Sequence, residues 1–511
     1  MTESLVQNYK RLMDKVKDLT VLQSAAAIVN WDMETMMPPK GIQLRSLQLA
    51  MLSRIGHKMS TDPEIGRLLD TITRSPDYDR LDTLQKRNVY LVNKHYAEQT
   101  KLPEELVAET AKQQAVAIDA WKKAKAAKDY SRFRPELERM VDLRKKAAEI
   151  LMDVKNTRTP YDALIDIFEP KVTSEVISKT FMELRHGLVS LIEKCTVAPK
   201  QPDTSALRLR VPIETQRKIA DSLAEIVGYD VKSGNARGRI DETEHPFTTG
   251  YYDDVRITTH YYLDNFTSSI FSVLHEAGHA IYEQNLNREW IFQAVGTSCS
   301  SGFHESQSRF YENIIGRSRE FWEFFFPRLQ KLAGNLLLHL DLDKFVHAVN
   351  SVKPSKIRVE ADEVTYCLHI IIRFDMERDL FADKITVAEL PQAWNQSYRK
   401  YLNVNIEDDS EGVMQDIHWS SGAFGYFPSY ALGNIYSGQM LATIAKKLPY
   451  WKNSISASNL QEVGEWLVRN VHANGNMNDP EDLIRKITGE QLTVTPYLDY
   501  LNEKYSDLYE F

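Results

Sequence analysis

The segment DNFTSSIFSVLHEAGHAIYEQNL constrains this chain more than any other stretch. Phe266, Ile270, Val273, Leu274, Ala277 and Ile281 recur at helical spacing, which predicts one largely buried helix. Residues four apart on a helix share a face, so His275 and His279 can direct two imidazoles at one ion. Glu276 lies one step round from His275, beside such an ion rather than on it. That is where a general base for a metal-activated water is needed. Gly278 stands mid-helix, where glycine costs about 1 kcal/mol relative to alanine. Its presence predicts close approach by another backbone or by a substrate.

Five-residue HExxH strings also arise by chance in long chains, so context has to carry the assignment. A second cluster, Gly302-Phe303-His304-Glu305-Ser306-Gln307, begins soon after the helix, and the two together predict a metal site. An extended HExxHxxGxxH site needs glycine at 282 and histidine at 285. The chain has Tyr282 and Asn285, which excludes that class. Glu305 and His304 then compete as third ligand. Glu305 is favoured, because two histidines and a glutamate leave a fourth position for water and form an established catalytic set. Arg309, Phe310, Glu312, Asn313, Ile314 and Ile315 carry a helical pattern onward through this region.

The remaining sequence narrows the setting. With 511 residues, 43% hydrophobic and 26% charged, the chain has enough apolar material for a sizeable core in a soluble protein. A net charge of −8 argues against nucleic acid or anionic membrane as the main partner. Cys195, Cys299 and Cys367 are widely spaced and form no CxxC, which suits a reducing compartment. The start, MTESLVQNYKRLMDKVK, lacks the apolar centre of a signal peptide. No apolar run approaches the ~18 residues that span a bilayer. The expectation is a cytoplasmic protein with no nucleic-acid and no membrane partner.

Taken in order, the first 200 or so residues read as successive helices, with breaks at MMPPKG and at TVAPKQPDTS. The first helix is expected to end near Asn30-Trp31-Asp32. Beyond the second break, residues 206–211 alternate with period two and predict a strand. Val255, Ile257 and Thr259 alternate with Arg256, Thr258 and His260, predicting another strand immediately before the metal helix. A strand along a metal-site cleft offers backbone groups with which an extended peptide can pair. Helices resume from about residue 264 almost to the end. No internal repeat interrupts them.

Several further motifs complete a recognisable set: Trp31-Asp32 with the following Met37-Pro38-Pro39, His245-Pro246-Phe247, and Asp254-Val255-Arg256-Ile257-Thr258-Thr259. After HEAGH come His304-Glu305-Ser306-Gln307, Ile357-Arg358-Val359-Glu360-Ala361-Asp362 and Gly412-Val413-Met414-Gln415-Asp416-Ile417-His418-Trp419. In this order and over nearly its full length, the chain resembles the carboxypeptidase Taq family of metallocarboxypeptidases, metallopeptidase family thirty-two. The resemblance implies a mainly α, cleft-bearing, gluzincin-type fold with a small sheet beside the HExxH helix, similar to angiotensin-converting enzyme and neurolysin-type peptidases. It implies one catalytic domain over 1–511, with a helical part to about 200 and a metal-site part from about 201. It further implies release of C-terminal amino acids from peptides with broad specificity, one Zn2+ or Co2+ ion per chain and, commonly, a homodimer.

A carboxypeptidase must hold a free terminal carboxylate, and a guanidinium does so through two parallel charge-assisted hydrogen bonds. Arg256 and Arg358 are the candidates, each with an ordinary ion pair to a nearby aspartate as the competing explanation. An oxyanion beside the metal needs a donor. Tyr366 lies on a stretch similar to the tyrosine-bearing helix of angiotensin-converting enzyme. Tyr426 and Tyr430, in the loop-like SSGAFGYFPSYALG, are its rivals. His418 and His245 are expected to line the site or contact substrate, with simple packing or turn-capping as the alternative.

Overall fold

The computed structural model describes residues 3–511, and helices make up most of it. The opening helix, Glu3–Thr35, runs past the expected stop at Asn30-Trp31-Asp32. None of those three residues forbids helix, and the buried Trp31 side chain is covered by the guanidiniums of Arg239 and Arg256 at 4.6 and 4.4 Å from the ring centre. The paired prolines Pro38 and Pro39 supply the break. Later helices start where capping residues predict. Asp82 and Gln85 form a reciprocal capping box, and the Thr173 side chain accepts from the Val176 amide.

The expected strand before the metal helix is present as β3, Asp254–Thr259. It pairs in parallel with β1, Ile240–Glu242, and antiparallel with β2, Thr248–Tyr251, giving the order β1-β3-β2. Successive side chains of a strand face opposite ways. Val255 and Ile257 are therefore buried, while Arg256 turns to Trp31 on the opening helix. Ile257 faces Thr248 across the β2 pairing, which places both on one face of the sheet.

The strand expected over 206–211 is not formed. Residues Thr204–Arg208 make a 3-10 turn, and the following segment is tied by the backbone bond from Val211 N–H to Leu263 O at 3.1 Å. Its alternation arises because Leu207, Leu209 and Val211 press onto the core while Arg208 and Arg210 stay in solvent. Period-two burial needs no ladder partner.

The larger hydrophobic core takes residues from both sides of position 200. Leu184 and Leu188 belong to it together with Val255, Val273 and Leu432. A smaller core joins Leu5 and Leu12 of the opening helix to Leu68, Leu69 and Val89. No helix among the described residues is long and apolar enough to cross a membrane.

Candidate metal centre

The metal helix spans Phe266–Gln284 and is buried along most of its length. Its neighbour is the helix Ser301–Arg309, which starts at a Ser300 cap whose side chain accepts from the Phe303 amide. The two can cross closely because of Gly278. A Cβ there would lie 2.5 Å from Gln307 O and 2.7 Å from Ser308 Cα. The close approach predicted from a mid-helix glycine is thus the backbone of the second helix. On the other side, Gly433 of the helix Phe427–Lys447 leaves room for Glu305, whose Cγ would sit 2.7 Å from an added Cβ.

These contacts bring His275, His279 and Glu305 together, with one donor atom from each within 4.8 Å of the others. Glu305 Oε2 stands 3.4 Å from His279 Nε2 and 3.8 Å from His275 Nε2. Donors bound tetrahedrally at ~2.0–2.1 Å from one ion would be about 3.3 Å apart, close to these separations.

The hydrogen bonds behind the imidazoles set their tautomers. His275 Nδ1 lies 2.8 Å from Glu312 Oε2, so it carries the proton and donates it, leaving a lone pair on Nε2. His304 Nε2 lies 2.8 Å from Glu283 Oε1 and donates likewise. Its Nδ1 can then accept from His279 Nδ1 at 2.5 Å, which frees His279 Nε2. His304, the competing ligand on sequence grounds, is thereby engaged behind His279. Both free lone pairs point toward Glu305.

The electrostatics fit a cation. Burial drives the pKa of His279 down to about 3, favouring the neutral form that a metal ligand requires. Burial opposes charge on His275 as well, but Glu305 and Glu312 outweigh it and raise its pKa. Burial alone would raise Glu305, yet Arg309 and then His275 hold its carboxyl well below the usual range. Two buried carboxyl groups, Glu276 and Glu305, and the half-buried Glu312 surround the site, with Arg309 in contact with Glu305 and Glu312 and Arg317 in contact with Glu312. A divalent ion suits this donor set in charge and in geometry.

Glu276 lies beside the three candidate donors. Thr248 of β2 donates to its Oε2 at 2.6 Å, and burial raises its pKa against the opposing effects of His275 and Thr248. A carboxylate so placed is a base whose affinity for a proton is increased. Nothing in the spacing of the HPFTT segment pointed to Thr248, because the contact crosses from sheet to helix. Glu312 carried a weak signal, being a carboxylate on the same helical face as Glu305.

A second group of side chains adjoins the first. Arg358 Nη1 donates to Tyr366 Oη at 3.2 Å, and the guanidinium lies 5.2 Å from the Tyr430 ring centre. His418 Nε2 is 3.3 Å from Tyr430 Oη, and its ring stacks on Tyr426 at 5.7 Å. Burial raises the Tyr366 phenol against the pull of Arg309 and Arg358, pushes Tyr426 to about 12 and lowers His418 to about 4. Glu305 adds to the raised values of all three tyrosines, so this group lies within electrostatic reach of Glu305. Tyr430 is on the first turn of the helix Phe427–Lys447 rather than in a loop, and Tyr426 is the residue that precedes that helix.

Arg256 is elsewhere. It forks onto Asp254 at 2.7 and 2.8 Å and stacks on Trp31. His245 is exposed in the turn leading into β2. Arg358 has an acidic partner too, Asp416, which it shares with Arg373.

A helical scaffold that sets HExxH beside a third acidic donor, with a held glutamate next to them, defines a metal-dependent peptide hydrolase. Residues 11–505 match the family described as carboxypeptidase Taq (M32) metallopeptidase, and the chain belongs to that family. It is 38% identical over 504 residues to carboxypeptidase 1 of Bacillus subtilis, covering 98% of each protein. It is 39% identical over 508 residues to thermostable carboxypeptidase 1 of Thermus thermophilus, covering 98% of this chain and 99% of that protein. Among solved structures, the M32 carboxypeptidase from Deinococcus radiodurans R1 superposes with a TM-score of 0.94 at 34% identity, covering 99% of this chain and 100% of that one.

Proposed function

We propose that this protein releases C-terminal amino acids from peptides with broad specificity. It would use one zinc or cobalt ion held by His275, His279 and Glu305. The observation that carries the reading is the convergence of these three donors beside the buried, hydrogen-bonded Glu276. When bound, the ion polarises the peptide carbonyl as a Lewis acid and makes a neighbouring water easier to deprotonate. Glu276 takes the proton from the attacking water as the oxygen bonds to the carbonyl carbon. It then delivers that proton to the leaving nitrogen as the C–N bond breaks, so the products are a shortened peptide and a free amino acid.

Tyr366 and Tyr426 are the phenols we assign to the growing negative charge on the carbonyl oxygen. Arg358 is better placed than Arg256 to anchor the terminal carboxylate, because it stands among these phenols and offers Nη1 on their side. His418 and His245 complete the substrate-binding set, the first beside Tyr430 and the second at the turn into β2. The family resemblance adds a homodimer to this reading, and the cysteine usage and polar N-terminus add a cytoplasmic location.

Glu276→Gln keeps the shape of the side chain but cannot accept the proton. Its kcat should fall by roughly 10²–10⁴, with metal content by elemental analysis unchanged. A variant that kept near-wild-type kcat at full occupancy would remove Glu276 from its role.

A further inference from the structure

Arg309 belongs to no motif read from the sequence as chemistry, yet it touches Glu305, Glu312 and Tyr366. It closes the helix Ser301–Arg309, one turn beyond Glu305, and its side chain is 11% exposed. Its Nε donates to Glu305 Oε1 at 2.6 Å, while the opposite oxygen, Oε2, is the one facing His275 and His279. Its Nη1 donates to Glu312 Oε2 at 3.2 Å, the same atom that receives His275 Nδ1. Its guanidinium lies over the Tyr366 ring, 4.0 Å from the centre. The chain then leaves the α-helix for a π-helical segment, Phe310–Ile315, which sets Glu312 beside both Arg309 and His275.

We propose that Arg309 is a positioning residue that makes Glu305 a one-oxygen ligand, and so keeps a coordination position open for water and substrate. This inference rests on the ligand set proposed above. The physical reason lies in the shape of the carboxylate. Both of its oxygens can chelate one ion unless one is already engaged. The guanidinium engages Oε1 with a charge-assisted bond and turns Oε2 inward. Stacking on Tyr366 fixes the plane of the fork, so its edge cannot swing away from Glu305 and Glu312. Lysine would supply the charge at one point, without the second branch and without the flat face. Leucine or methionine would leave Oε1 free to join the ion, filling the position that hydrolysis needs.

Cobalt is a suitable probe because its visible bands are strong at low coordination number and weaken as ligands are added. Wild type, Arg309→Lys and Arg309→Met are loaded with cobalt at saturation, and their absorption spectra are compared. Cobalt affinity is measured in parallel by competition with a chelator. The band per bound cobalt is expected to fall at least twofold in Arg309→Met and by a smaller step in Arg309→Lys. Affinity should change by roughly 10–100-fold, as for other residues that orient ligands from behind. If Arg309→Met fails to fold, the lysine variant decides alone, since it retains the charge that buried Glu305 requires. Spectra superimposable on wild type, with affinity unchanged within twofold, overturn the role of Arg309. Wild-type protein that binds no cobalt and no zinc instead overturns the ligand reading beneath it.

Discussion

At the residue scale, function here depends on which atom of each side chain is already engaged. His275 and His279 are both committed at Nδ1, and that leaves Nε2 for an ion. His304 is committed at both nitrogens, so it should be dispensable as a ligand but useful as a support. Glu305→Ala should therefore lose most bound metal, while His304→Ala should keep most of it with weaker affinity. Elemental analysis after dialysis checks the pair, and the reverse ranking would make His304 the third ligand. The same logic separates the arginines. Arg358→Ala should cost about 2–5 kcal/mol in kcat/KM on a peptide with a free C-terminus and little on its amidated counterpart. Arg256→Ala should leave that preference intact, because its fork is occupied by Asp254 and its face by Trp31. A preserved preference in both variants would put the anchor elsewhere.

At the element scale, two helices crossing at a glycine build the metal centre. Helix propensity alone says that Gly278→Ala should stabilise the chain by about 1 kcal/mol. Packing says the opposite, because the new methyl would meet the backbone of Gln307 and Ser308, which have no flexible end to yield. We expect a net loss of about 1–3 kcal/mol by denaturant unfolding. Metal affinity should also fall, since the displaced helix carries Glu305. A stabilised variant with full affinity would show that the crossing can relax without cost. The sheet contributes at the same scale. Strand β2 delivers Thr248 to Glu276, and strand β3 spends Arg256 on the opposite face.

At the scale of the whole molecule, distant segments close around the site and tie its chemistry to global stability. His472, near the C-terminus, is buried with Nε2 2.9 Å from Gln307 Oε1, and its ring lies tilted against Tyr282 at 4.9 Å. Burial lowers its pKa to about 3, whereas the unfolded value is near ~6.5. Between those values the unfolded chain binds a proton that the folded one refuses. The stability tied to His472 is therefore present above pH ~6.5 and is lost as pH falls toward 3, at up to about 1.4 kcal/mol per pH unit. Urea unfolding at several pH values in this window should show a steeper decline for wild type than for His472→Gln, by about one proton. Equal slopes would mean that His472 is charged in the folded state.

The sequence by itself was enough for the helix of the HExxH motif and the close approach at Gly278, and it singled out His275, His279, Glu305 and Glu276, whose side chains the fold gathers. Each of these rests on local periodicity or on a residue type that few other roles explain. The family followed from motifs spread along the chain, as the match over residues 11–505 bears out. Only the tertiary structure separated Arg358 from Arg256, since both stand in equally dense motifs and differ in what other segments bring to them. Thr248 and Glu312 gained their contacts in the same way, through strand pairing, a π turn and helix crossing, as did Arg309 with the Tyr366 ring, whereas its bond to Glu305 is local, four residues apart on one helix. Residues 206–211 show the reverse limit. Alternating burial reads as a strand in any sequence, but whether a neighbouring strand exists to pair with it is settled by packing far along the chain.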